Sequence, residues 1–175
     1  KLCCVKYSEF NMSKMCTVVT YHFIRDFIRS RFPRINGLDL SSFREQLLYM
    51  QNFYAFVTVN ECIEAIYGTN KLPNNAALLT FDDGYADNYS GAFIPLMEHN
   101  MKATWFITTN CIGKEALWLN MPSDQSKMLS EQQLLEMAQA GMEIGSHTCS
   151  HPDSTKLSYQ DQLKEMSTSK SVLET

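Results

Sequence analysis

Near the middle of this chain, Ala76-Ala77-Leu78-Leu79-Thr80-Phe81 runs almost wholly apolar and passes directly into Asp82 and Asp83. A strand with no alternation of polar and apolar residues must be covered on both faces. That is the condition of a strand inside a parallel α/β sheet, not of a half-solvated antiparallel one. The flanking sequence agrees. Short β-rich runs at Thr17–Tyr21, Ala55–Val59, Ala103–Ile107 and Met142–Ser146 alternate with helical patterns. Such alternation implies parallel strands joined by right-handed crossovers. A doubly wound open sheet and a (β/α) barrel both satisfy it, and in either one chemistry gathers at the carboxyl ends of the strands.

The helices carry their own boundaries. After a polar, proline-bearing loop through Gly37, Ser42 with Glu45 fits a capping box, and Leu40, Phe43, Leu47, Met50 and Tyr54 share one face. Thr58 with Glu61 offers a second box, with Gly68 as the stop, and Ser130 with Gln133 a third, ended by Gly141. Leu129 and Leu134 are placed to staple that third helix. A helical stretch bearing Phe93, Leu96 and Met97 ends near Asn100, Cys111–Met128 reads as a long loop, and Ser158 opens a last helix expected to turn Leu163 and Met166 inward.

Composition removes several classes of function. The 175 residues fit one domain, and 45% hydrophobic content excludes disorder. With 15 Lys+Arg against 19 Asp+Glu, the formal charge of -4 argues against nucleic acid or an anionic membrane as the main partner. No apolar run approaches the ~18 residues that cross a bilayer, and the Lys1–Lys6 patch is too short for a secretory leader. Six cysteines without a C-x-x-C pair read as reduced thiols, so a cytoplasmic location is expected. Met12-Ser13-Lys14 looks like an ordinary start, so residues 1–16 are expected to be an extension, 1–11 of it upstream or non-native, with the domain over 17–175. Oligomeric state is not written in the sequence.

Two strand ends hold the candidate chemistry. The first is Thr80-Phe81-Asp82-Asp83-Gly84-Tyr85. Paired carboxylates after a buried strand are costly unless a cation or donors meet them. They can face one site only if the backbone turns, which Gly84 permits; otherwise one of them simply caps the next helix. The second is Ser146-His147-Thr148-Cys149-Ser150-His151-Pro152. Histidines four apart can share a metal, and Pro152 favours a loop over a helix at His151. An aspartate with two histidines leaves positions open on a metal for water and substrate, as catalytic zinc sites do.

Together these segments resemble the polysaccharide deacetylase family, also called the NodB homology domain or carbohydrate esterase family 4. Its two motifs, T-F-D-D-G and H-[ST]-x-x-H, are both present without substitution. Tyr21-His22 and Leu72-Pro73 further resemble members from bacterial surface-polysaccharide biosynthesis. The resemblance implies a distorted, incomplete (β/α) barrel that hydrolyses N-acetyl groups of a polysaccharide or its precursor. It implies Asp82 as general base and Asp83, His147 and His151 as ligands of one divalent metal, zinc first, with cobalt, nickel or iron as alternatives. Thr148 matches the hydroxyl that steadies the histidine loop, and Gly84 supports the site. His22, Tyr85 and Trp118 are candidate contacts to an N-acetylated carbohydrate, though His22 and Trp118 could equally be structural.

Relatives carry later motifs, with an Arg and Pro, an Asp or Trp, and a Leu-His that supplies the acid. After His151 this chain has neither histidine nor arginine, so a domain cut short on its C-terminal side is expected. That leaves two other readings: a non-catalytic relative that binds metal and carbohydrate, and a hydrolase of another small amide on the same barrel.

Overall fold

The computed structural model describes residues 15–27, 37–116, 118–119 and 125–174; the proposed extension falls almost wholly outside them. Its frame is a parallel sheet built on β5 (Ala76–Phe81), every residue of which is buried. β1 (Thr17–Tyr21) runs along the length of β5, with Thr17 opposite Ala77 and Tyr21 opposite Phe81. Two strands divide the opposite edge. β4 (Ala55–Val57) pairs with residues 76–78, and β6 (Thr104–Ile107) with Thr80 and Phe81. β7 (Glu143–Ser146) then pairs with β6. All of these ladders are parallel, as the alternation of elements implies.

The core is aromatic at the top of the sheet. Phe81 lies between Tyr21 and Trp105, stacked at centroid distances of 5.2 and 4.6 Å. Phe43 meets Tyr21 edge-on from α1 (Leu40–Met50), a geometry that ring quadrupoles favour. Phe43, Leu47 and Met50 are the buried face of that helix. It starts earlier than the Ser42–Glu45 box suggests, because the Asp39 carboxylate takes the cap and accepts from the Ser41 N–H.

Thr58 and Val59 are not strand. Thr58 caps α2 (Val59–Ile66) with the full box to Glu61, and Gly68 follows at a φ of 77°. The loop after β1 contains two short strands, β2 (Phe23–Arg25) and β3 (Gly37–Asp39), paired in parallel. Three residues each are too few to show a period. The helical stretch before Asn100 is a π-turn at Tyr89–Phe93 leading into α3 (Ile94–Glu98). Its Gly91 lies so close to the Ile24 carbonyl that a Cβ would stand 2.3 Å from the oxygen.

Helix α4 (Glu131–Gln139) has the expected box at Ser130 and Gln133, and Leu129 and Leu134 are both buried beside it. The last helix, α5 (Tyr159–Leu173), is capped by Ser158, but Leu163 and Met166 are 54% and 56% exposed instead of inward. Its buried residue is Ser169, whose hydroxyl meets that of Ser146 at 2.7 Å. This helix docks by polar contacts on the end of β7, so spacing alone misplaced its inner face. Among the described residues Cys16, Cys62, Cys111 and Cys149 form no disulfide, and no helix is long and apolar enough to cross a membrane.

Candidate metal centre

The carboxyl ends of β5, β6 and β7 bring the two motifs together. Hydrogen bonds to neighbouring strands fix the chain as it leaves β5: the Asp82 N–H donates to the Tyr21 carbonyl, and the Thr108 N–H to that of Asp83. The turn that lets the adjacent carboxylates diverge begins at Asp83 itself, at a φ of 72°, and continues through Gly84 at 90°. A positive φ at a non-glycine residue costs strain of order 1–3 kcal/mol and collects at functional sites. Thr148 and His151 share that feature, at 67° and 56°.

The histidine loop leaves β7 with the His147 N–H donating to the Ile107 carbonyl. The segment after β6 supports it from one side, where the Thr109 and Asn110 N–H groups donate to the carbonyls of Thr148 and Cys149. Within the loop, the Thr148 hydroxyl accepts from the His151 N–H at 3.1 Å.

Asp83 Oδ1 then stands 3.2 Å from His147 Nε2 and 3.2 Å from His151 Nε2. Ligand atoms on an ion bound tetrahedrally at 2.0–2.1 Å lie about 3.3–3.4 Å apart, so the spacing fits a shared cation. The chemistry of the donor set fits as well. The Asp83 side chain is only 4% exposed, and its buried Oδ1 has no hydrogen-bond partner, a state that costs free energy unless a charge meets it. Among the described residues this is the one group of three His, Cys, Asp or Glu side chains able to hold an ion. Burial pushes the Asp83 carboxyl up, but His147, Tyr85 and His151 outweigh it and hold it low. The contact with Asp83 in turn raises His147, against the effect of burial.

Asp82 sits beside this cluster with its side chain 22% exposed, and its Oδ2 is 4.0 Å from Nε2 of His22, which is 49% exposed. Tyr85 is 2% exposed and lies in the floor of the site. Its ring stacks on Phe23 at 3.7 Å, and its hydroxyl engages Asp83 and accepts from Trp118 Nε1 at 3.1 Å. Burial, then Asp83, pushes its phenol well up. Trp118 stacks on the His151 ring at 4.4 Å, so one of its faces is already covered by that imidazole. Tyr85 and Trp118 are among the sequence candidates, but the support that Phe23 gives Tyr85 has no local signal, because the two come from separate segments.

Comparison with known proteins supports the family resemblance. The sequence profile of the polysaccharide deacetylase family matches residues 69–175. YxkH of Bacillus subtilis (strain 168), whose given name places it among the polysaccharide deacetylases, is 32% identical over 158 residues. The poly-beta-1,6-N-acetyl-D-glucosamine N-deacetylase of Escherichia coli (strain K12) is 27% identical over 143 residues. These alignments take in 90% and 74% of this chain but only 50% and 20% of those proteins, so the chain spans half the length of one relative and a fifth of the other. The Streptococcus pyogenes deacetylase PplD, solved in complex with acetate, superposes with a TM-score of 0.76 at 28% identity, covering 91% of this chain and 67% of PplD.

Proposed function

The chain belongs to the polysaccharide deacetylase family, and from that premise we propose that it is a metal-dependent hydrolase removing acetyl groups from N-acetylated sugars of a polysaccharide or its precursor. The observation that carries this is the convergence of Asp83, His147 and His151 within 4.8 Å of one another, with Asp82 adjacent. In this reading the three converging side chains hold one divalent ion, and two neutral imidazoles with a carboxylate suit zinc ahead of cobalt, nickel or iron. Such an ion would acidify a bound water and polarise a carbonyl.

The remaining work falls to residues of the chain. Asp82 takes the proton of the attacking water as general base. The buried Tyr85, whose hydroxyl faces Asp83, helps keep that ligand oriented, and Trp118 keeps the His151 ring in place. The substrate class follows the name of the Escherichia coli relative, an N-deacetylase of poly-N-acetylglucosamine, so N-acetylglucosamine oligomers are the substrates to try.

The test is release of acetate, and of a free amine in equal amount, from such oligomers by the zinc-loaded protein. Loss of release on chelation and its return with zinc are expected. Release that survives thorough metal removal would overturn the proposal.

A further inference from the structure

The loop from His147 to His151 adopts a conformation that its own sequence resists. Thr148 and His151 both lie at positive φ, where Cβ crowds the carbonyl of any L-residue, and a β-branched threonine suffers most. Inside the loop a single hydrogen bond, from the His151 N–H to the Thr148 hydroxyl, opposes that strain.

The outer side of the loop is held by one carboxylate from α5. Glu165 Oε2 accepts from the Cys149 N–H at 2.8 Å and the Ser150 N–H at 2.9 Å, while Oε1 accepts from the Ser150 hydroxyl at 2.8 Å. The Cys149 thiol donates to the backbone carbonyl of Glu165 at 3.3 Å. All three groups facing the Glu165 side chain are donors, and an ionised carboxylate is the acceptor-only group that matches them. Burial pushes its carboxyl up, yet Ser150 and Cys149 outweigh that and hold it below its ordinary range.

We propose that Glu165 is a positioning residue of the metal centre: by fixing the backbone of Cys149 and Ser150, it sets how His147 and His151 present their Nε2 atoms. It touches neither ligand atom, and the proposal rests on the reading of Asp83, His147 and His151 as metal ligands. Ser169, on the same helix, supplies the control. Its hydroxyl contacts Ser146 at the end of β7 and docks the helix without touching the loop amides.

The experiment compares wild type, Glu165→Gln and Ser169→Ala by calorimetric zinc titration, and by amide hydrogen exchange of the metal-free chains. Glutamine keeps the shape but turns an N–H₂ toward a donor. It should weaken zinc tenfold or more, the range seen when partners of metal ligands are removed, and speed exchange at the Cys149 and Ser150 amides before any metal is added. Ser169→Ala should lower the melting temperature while leaving zinc affinity unchanged. Equal zinc affinity in Glu165→Gln and wild type would remove the role of Glu165 and leave the metal centre standing. Equal weakening by Ser169→Ala would show that helix docking alone matters, which also overturns the proposal. A wild-type chain that binds no zinc would overturn the centre and the proposal together.

Discussion

Replacing Asp83 by Asn separates holding a metal from holding the fold. Asparagine keeps the shape and tolerates the left-handed backbone at 72°, so the turn survives. What is lost is the charge on an oxygen 3.2 Å from two imidazole nitrogens. At zinc a hundredfold above the wild-type dissociation constant, linkage stabilises the folded state by about 2.7 kcal/mol. For a chain of this size each kcal/mol moves the melting temperature roughly 2–4 °C, giving a wild-type rise of about 5–11 °C. If losing the anionic ligand weakens binding a hundredfold, the same zinc contributes only about 0.4 kcal/mol, or roughly 1–2 °C. Without metal the variant loses the contacts by which His147, Tyr85 and His151 hold the carboxylate ionised, so each protein's zinc-induced rise is read against its own metal-free melt. Thermal melts with and without zinc decide the matter. A zinc-induced rise in Asp83→Asn equal to that of wild type would refute the assignment of Asp83 as a ligand.

Three further perturbations test the frame around the site. Gly91→Ala should cost about 1–3 kcal/mol in denaturant unfolding, because the new methyl would meet the Ile24 carbonyl at 2.3 Å. Glu143→Gln should cost about 1–2 kcal/mol, since that carboxylate accepts from the Val59 and Asn60 N–H groups and the Thr104 hydroxyl; an unchanged denaturation midpoint would count against this second cap on α2. Burial lifts the Asp87 carboxyl to about 6 despite Arg25 at 2.6 Å, so between about pH 4 and 6 the folded chain keeps a proton that the unfolded chain has released. Wild-type stability relative to Asp87→Asn should therefore fall as pH rises through that window, by on the order of 2–3 kcal/mol; a pH-independent difference would show that Arg25 fully offsets burial, and a rising one that it prevails.

What could be read from the sequence was local. β5 announced itself by six residues needing cover on both faces, and the boxes at Thr58 and Ser130 by side chains that reach only three residues. The same pattern misled at Ser42, where Asp39 already satisfies the first turn. Period gives the spacing of a face but not its direction: spacing points to Leu163 and Met166 as the inner side of α5, whereas the structure turns Glu165 and Ser169 inward. Asp82, Asp83, His147 and His151 were legible because each pair sits in one short motif. Their supports were not. Phe23 under Tyr85, Trp118 over His151 and Glu165 behind the loop are joined only by the fold.

If Asp82 is the base beside a metal held by Asp83, His147 and His151, its loss should stop hydrolysis without releasing the metal. The most direct measurement is acetate released from an N-acetylglucosamine oligomer by Asp82→Asn, with bound zinc quantified on the same sample. The account predicts one zinc per chain and a rate at least a hundredfold below wild type, as loss of a general base entails. A fully zinc-loaded Asp82→Asn that releases acetate at the wild-type rate would contradict it.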